Sequence, residues 1–552
     1  MRLCLISPRP VDSTYVSWWA SEEPGRGIAR VGAAGIVTVA ALAPDDFQIT
    51  IVDECVDPFD LDRHGDADVF ALSINVAQAA SGVALAKRLR GLGKTVVVGG
   101  PHVSLAPQFF EGRADSIVIG ELEPIAEEVF ADMRAGTLKP TYTSTKADMR
   151  QSPLPRWDLY PNDKSYFGVV QTSRGCPFEC HFCDVIQYLG RVQRHKDNAQ
   201  VTAELQQLYD LGYANVALAD DNFTVYRKRA RSLLEAIASW NGKEGRDFVS
   251  LFTQVSIDVA RDPELLRLCA DAGLVNAFIG IETNNEASLV ESKKRQNLRV
   301  DLTEEVKKVV SSGVAVEVGL VTGFDHDERS IFENLLAFGS TLPTSTFSVA
   351  TLMAPVATPF YDSMKDANRI VEESEEEKQS QGPVVSLVTN IVPAQMSRRE
   401  LYIGARWLVS RLFHPENFLD RFYLISELLP PAPWERPGNA KRRLPRPNLV
   451  RLYTQIFREE MKRDPRFVSV VKQAMRHIRS RPDIEDSLSS VLGAYTYRLH
   501  TLRNIGTYDE AWAEMDSPPF GADVTLERAG ALGSQARGQG VEDLAGLTAM
   551  AK

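Results

Sequence analysis

Three of the chain's six cysteines fall within eight residues, as Cys176-x3-Cys180-x2-Cys183 inside the stretch 171–184. No other feature restricts so tightly what this sequence can become. Thiolates at this spacing suit a soft metal centre. Three of them cannot close a tetrahedral zinc site, nor supply all four irons of a cubane cluster. No further cysteine or histidine pair stands at zinc spacing. A cluster held here therefore leaves one iron open to another ligand. The loop directly follows the apolar run 166–170, which reads as a strand.

With 552 residues the chain has room for two or three domains with ample cores. Its net charge of −11, from 73 acidic against 62 basic residues, gives no electrostatic case for a nucleic acid partner. Cys4, Cys55 and Cys269 stand singly in apolar surroundings and read as buried hydrophobes. Without a disulfide framework, a reducing compartment is expected. The first residues read as a strand rather than a signal segment, and the longest apolar stretch, 31–42, is too short to span a bilayer. The expectation is a soluble, cytoplasmic protein with no stable membrane span.

Strand-like runs at 3–7, 48–52, 69–74, 95–98 and 116–119 alternate with helical runs at 35–42, 79–92 and 124–133. Such alternation predicts a doubly wound, Rossmann-like α/β domain over 1–135, with ligands at the carboxyl ends of its strands. Those ends carry Ser73 and Asn75, then Gly99-Gly100-Pro101-His102, then Gly120-Glu121. Glycines there let backbone approach a ligand, although ordinary turn chemistry explains them equally well. Asp53, at another strand end, reads either as a ligand contact or as a helix cap.

Residues 136–165 read as a linker, and the alternation then resumes. Strands at 166–170, 215–219, 248–255, 276–281, 315–321 and 346–353 predict six β/α units of a partial (β/α)6 TIM barrel ending near 365. The three cysteines follow its first strand; Asp220, Asp221 and Asn222 follow its second. Gln254 and Ser256 belong to the third, Glu282 to the fourth, and Gly323 with Asp325 to the fifth. Carboxylates at such positions accept hydrogen bonds from ammonium and hydroxyl groups. Asp220 or Asp221 reads equally well as a cap of the next helix. Arg191, Arg194 and Lys196 are either solvated charges or partners of a carboxylate or phosphate. Beyond lie an acidic stretch at 366–381, a helical region to 512 and a Gly/Ala-rich tail, 513–552, expected to be disordered.

Cys-x3-Cys-x2-Cys with the aromatic Phe182 before its last cysteine closely resembles the signature of the radical S-adenosylmethionine (SAM) enzymes. That resemblance implies a [4Fe–4S] cluster on Cys176, Cys180 and Cys183, with SAM bound at the open iron. It further implies SAM contacts from Phe182, Asp220, Asp221, Asn222, Gln254 and Glu282, the last on the ribose or the substrate side. A doubly wound domain ahead of this motif, carrying Gly-Gly-Pro-His and a later Gly-Glu, resembles the cobalamin-dependent branch of that family. Cobalamin contacts are then implied for Ser73, Asn75, Gly99, Gly100, Pro101, His102, Gly120 and Glu121. Asp-x-His-x-x-Gly, whose histidine ligates cobalt elsewhere, is missing, so no histidine is expected on the metal. Where relatives have Pro-Pro-Leu-Gly before the first helix, this chain has Val31-Gly32-Ala33-Ala34-Gly35.

Within that branch, Ser-Arg-Gly-Cys-Pro, Phe-Cys-Asp, Gly190-Arg191, His195-Lys196, Glu204-Leu205 and Asp-Asp-Asn-Phe resemble the subgroup of hopanoid C-methylases. The resemblance covers roughly residues 1–365. It implies radical methylation of an unactivated carbon in a small-molecule, natural-product or lipid substrate. The implied electron source is a one-electron reductant such as flavodoxin or ferredoxin. Rearrangement or cyclisation with the same cofactors, and a non-catalytic cobalamin or iron–sulfur sensor, are the alternatives. The helical stretch 401–429, with Arg421 and Tyr423, is expected either to close the substrate pocket or to cover the barrel flank.

Overall fold

The computed structural model describes residues 1–10, 29–371, 387–524 and 526. In chain order its strands are β1 (Arg2–Ser7), β2 (Ala29–Val31), β3 (Gln48–Asp53), β4 (Val69–Ser73), β5 (Thr95–Gly99), β6 (Ser116–Ile119) and β7 (Thr141–Thr143). Next come β8 (Ser165–Val170), β9 (Ser173–Arg174), β10 (Arg194–His195), β11 (Asn215–Leu218) and β12 (Ser250–Val255). The last three are β13 (Leu274–Glu282), β14 (Ala315–Thr322) and β15 (Thr346–Thr351).

Two parallel sheets result. The first has six strands in the order β3-β1-β4-β5-β6-β7. Its central strands are continuous apolar runs, Leu3-Cys4-Leu5-Ile6 in β1, Val69-Phe70-Ala71-Leu72 in β4 and the β-branched Thr95-Val96-Val97-Val98 in β5, as a sheet covered on both faces requires. The second, in the order β15-β14-β13-β12-β11-β8-β2, curls into a half-barrel. Its helices are amphipathic and turn their apolar sides to the sheet: Leu233, Leu234 and Ile237 in Arg227–Trp240, and Val306, Val309 and Val310 in Leu302–Ser311. The expected α/β architecture, a Rossmann-like sheet followed by a partial barrel and a helical extension, is what the chain adopts.

Three expectations need correction. The linker contains a strand, β7, which pairs with β6 and completes the first sheet. Conversely, β2 leaves the N-terminal module and pairs with β8, Ala29 opposite Ser165 and Val31 opposite Phe167, adding a seventh strand to the half-barrel. The start of the tail is ordered: Ala513 is buried, Phe520 packs on Phe332, and Trp407 donates to the Met515 carbonyl at 2.9 Å. Most of the acidic stretch (372–381), and the tail beyond 524 except residue 526, lie outside the described residues.

The helical extension settles on the outside of the barrel. Helix Arg398–Leu412, started by a Ser397/Glu400 capping box, packs on β15 and on helix Ile331–Thr341. In helix Pro415–Leu428, Arg421 is 1% exposed. Its guanidinium donates to the carbonyls of Leu412 (2.8 Å), Asn417 (2.9 Å) and Thr344 (3.4 Å) and lies over the Phe347 ring. Neither Arg421 nor Tyr423 reaches the cavity described below, so this stretch covers the flank. Among the described residues no helix is long and apolar enough to cross a membrane.

Candidate active site

Both sheets turn their strand carboxyl ends toward one cavity of about 790 Å³. Because strand side chains alternate, one face of the first sheet supplies Leu3, Leu5 and Ser7, Ala71 and Ser73, Val97 and Gly99, then Val118 and Gly120. Helices Ala34–Leu42 and Ala126–Ala135 close the far side with Val39, Leu42, Phe130 and Met133. The result is an apolar slot under a rim of small residues, where Asn75, Gly100, Pro101 and Glu121 also lie. Asp53 sits on the same wall and caps no helix. Its carboxylate accepts from the Tyr160 hydroxyl at 2.6 Å and the Cys55 amide at 3.0 Å.

One expectation on this side is overturned and a second is extended. His102 is absent from the cavity wall: its ring stacks on Phe109 at 6.0 Å and meets Phe110 edge-on, and burial pushes its pKa down to about 4. The first turn of helix Pro101–Leu105 aims it into the domain core. Gly100 lines the cavity and has a further reason to be glycine, set by the fold itself. At φ +104°, a Cβ there would stand 2.7 Å from the Ile74 amide nitrogen and 2.8 Å from its carbonyl oxygen.

The barrel side is polar. Cys176, Cys180, Phe182 and Cys183 all line the cavity. Asp220 is fully engaged by the start of the cysteine loop, accepting from the Thr172 amide (2.9 Å) and hydroxyl (2.5 Å) and the Ser173 amide (2.6 Å). It anchors the loop, a task the sequence reading did not give it. Asp221 accepts from the Gly175 amide at 2.9 Å, and burial, reinforced by Asp220 and Asp184, raises its pKa to about 7. Asn222 donates to Ser256 Oγ at 3.0 Å, while its own Oδ1 is buried without a partner. Such an acceptor is satisfied only by an incoming donor.

Glu282 ends β13 at φ +66°, after an irregularity in the β13–β14 register between Gly280 and Glu282. Left-handed backbone at a non-glycine residue is strained and persists where its surroundings impose it. Here the carboxylate meets Lys294 Nζ at 2.5 Å, and both line the cavity with Gln254 and Gln296. Burial works against the Lys294 charge, but Glu282 outweighs it and keeps the ammonium protonated. Sequence reading passed over Lys294, which lies in an ordinary-looking basic run, Lys293-Lys294-Arg295.

A profile of the radical SAM superfamily matches residues 170–338, and a domain of unknown function matches 358–504. An uncharacterized methyltransferase of Synechocystis is 32% identical over 444 residues, covering 78% of this chain and 80% of that protein. The chain belongs to the radical SAM enzymes. The hopanoid C-2 methylase of Rhodopseudomonas palustris is 28% identical over 396 residues, 70% of this chain and 72% of that one. In fold, the cobalamin-dependent SAM radical enzyme OxsB superimposes with a TM-score of 0.57 at 13% identity, covering 97% of this chain and 83% of that one.

The cysteine loop of this radical SAM enzyme fits a cluster by its donor chemistry. Among the described residues, no three metal-binding side chains are gathered as for a single ion. A cubane asks for something else, one thiolate on each of separate irons. Burial pushes the Cys176 thiol up to about 11 and the Cys183 thiol higher, so bound metal is what would hold them as thiolates. Glu121 ties this loop to the N-terminal sheet. It receives Arg174, two residues before Cys176, at 2.7 Å, Arg194 at 2.7 and 2.8 Å, and the Ala147 amide at 3.2 Å. Arg174 also reaches Glu123 at 2.7 Å. Despite burial, the two guanidiniums hold the Glu121 carboxyl below its usual range. All three cations downstream of the cysteines are therefore paired: Arg194 here, Arg191 with Glu179, and buried Lys196 with Glu204.

Proposed function

We propose that this radical SAM enzyme is a cobalamin-dependent C-methyltransferase of the hopanoid-methylase type, acting on an unactivated carbon of a small-molecule, natural-product or lipid substrate. The observation that carries this reading is the single cavity joining a three-cysteine loop to a small-residue rim over an apolar slot. The resident groups would supply a carbon-centred radical and a transferable methyl group, chemistry that no side chain provides. Cys176, Cys180 and Cys183 would hold a [4Fe–4S] cluster. Asp221 and the orphaned Asn222 Oδ1 are the acceptors suited to the ammonium of SAM, and Glu282 to its hydroxyls. Phe182 and Gln254 complete that wall.

Across the gap, Ser73, Asn75, Gly99, Gly100, Pro101 and Gly120 would form the rim for cobalamin, and the apolar slot would take its tail. Among the described residues no histidine lines the cavity, so the metal would lack a protein histidine ligand. The substrate carbon must lie between the two groups, where binding in one orientation contributes most to rate. A flavodoxin- or ferredoxin-class donor would supply the electron.

The test compares products of the anaerobically reconstituted enzyme. Metabolites that differ by one methyl group between a deletion strain and its parent supply the substrate. 5′-Deoxyadenosine and S-adenosylhomocysteine formed together, with a methylated product, support the proposal. 5′-Deoxyadenosine alone would point to rearrangement or cyclisation, and neither product to a sensor.

A further inference from the structure

The middle of the cysteine loop leans on a turn from elsewhere in the barrel. His181, between Cys180 and Cys183, donates its amide to the Ser292 carbonyl at 3.1 Å, just past helix Glu286–Glu291. Lys293 then takes left-handed backbone, φ +56°, and Lys294 turns back into the cavity, where its side chain is 13% exposed. An ammonium carries three protons. Among the described residues Lys294 Nζ has one acceptor, Glu282 Oε1 at 2.5 Å. The Lys294 side chain lines the cavity that Cys176, Cys180 and Cys183 also line. The barrel wall is cut back to make room: a Cβ on Gly280 would stand 2.6 Å from Glu282 Oε1 and 3.0 Å from Lys294 Nζ. Glu282 lines the same cavity as Lys294 and the three cysteines.

We propose that Lys294 is a positioning residue that sets the reduction potential of the cluster, its fixed positive charge favouring the reduced form and Glu282 trimming that effect. The inference rests on the reading of the three cysteines as cluster ligands. The step is a single electron passing from a flavodoxin- or ferredoxin-class donor, or an electrode, to the oxidised cluster. No bond is made or broken and no proton moves. A fixed cation in a site of low dielectric stabilises whichever state is more negative, and here that is the reduced one. The pair is neutral as a whole, so removing either member leaves the other's charge uncompensated. The two removals must then act in opposite directions.

Electrode titration of the anaerobically reconstituted full-length protein, followed by electron paramagnetic resonance and iron analysis, tests this. At the wild-type midpoint, K294M should lower the reduced-to-oxidised ratio about tenfold, a shift of about 59 mV to more negative potential for a one-electron couple. K294R should restore the wild-type value, and E282Q should shift it to more positive potential. A purely structural pair would not produce opposite signs. Unmoved potentials, or shifts of one sign in K294M and E282Q, would overturn the inference while leaving the cluster assignment intact. A wild-type chain that binds no iron overturns both. If K294M cannot hold about four irons per chain, E282Q alone decides: a positive shift supports the inference, and none refutes it.

Discussion

The two sheets meet the same cavity with opposite chemistry. At the strand ends of the half-barrel stand thiols, carboxylates and an orphaned amide oxygen, with the Lys294 ammonium beside them, and hydrogen bonds hold Asp221, Asn222 and Glu282 in place. The N-terminal sheet offers glycines, small hydroxyl residues and an apolar slot, and most of its rim makes no ion pair. One side is built to hold a ligand by bonds and charge, the other by shape. The first kind of site fails when a donor is removed, the second when volume is added.

The sharpest separation should come from Cys176→Ala, Cys180→Ala and Cys183→Ala together. Iron and 5′-deoxyadenosine formation should vanish completely, while cobalamin content, measured by its visible absorbance, stays at the wild-type level. Retention of about four irons per chain would sink the cluster assignment. Glu121 is where the contrast is expected to break, because it is a charged residue on the N-terminal side that serves the barrel's loop. Among the described residues, Glu121→Ala leaves the half-buried Arg194 with carbonyl acceptors only and Arg174 with Glu123 as its one carboxylate, and should cost about 3 kcal/mol in chemical denaturation. Iron should be lost with it, although no ligand has changed.

Asp221 shows what the barrel's charges cost. Its folded-state pKa of about 7 lies above the unfolded value, so between the two the folded chain binds the extra proton. Stability of the cluster-free protein should therefore fall as pH rises from about 4 to about 7, by roughly 4 kcal/mol at most. Asp221→Asn should flatten that slope; an unchanged slope would place its source elsewhere. On the shape side, Gly100→Val should destabilise the N-terminal module by about 1–3 kcal/mol from backbone strain alone. Gly99→Ala is the control. Its Cβ would stand 3.6 Å from that of Val118, an ordinary contact, so the fold should hold while cobalamin affinity drops. The smallest effect belongs to Arg421→Met on the flank. Lost carbonyl partners and relief of a buried charge oppose each other, leaving a change of about 1 kcal/mol. Turnover per folded molecule should not move, and a selective loss of turnover would return this helix to the pocket.

Much of this was readable in the sequence wherever the signal was local. The buried strands are short, largely apolar runs, and the cysteines form a motif within one loop. What escaped notice depends on partners distant in the chain. Thr141–Thr143 and Ala29–Val31 are only three residues each and become strands through the neighbours they find. Glu121 meets Arg174 and Arg194 at separations of 53 and 73 residues, which no periodicity encodes. Lys294 is 12 residues from Glu282, but only the left-handed turn at Lys293 brings them together. His102 failed for another reason. A motif fixes where a residue sits along the chain, and helix geometry then decided which way its ring points.

The exchange of β2 bears on how such a protein is made and divided. A ribosome releases the N-terminal module first, yet Ala29–Val31 must wait for Ser165–Val170 before it has a partner. Until then both segments present unpaired peptide edges, the kind of surface that recruits the wrong strand. Cutting between residues 135 and 136 to make two soluble halves would orphan β2 on one fragment and bare the edge of β8 on the other, besides removing β7 from the first sheet. Co-expressed halves should therefore need each other to remain in solution. For the same reason, grafting this N-terminal module onto a foreign barrel should succeed only when the recipient's first strand is carried along with it.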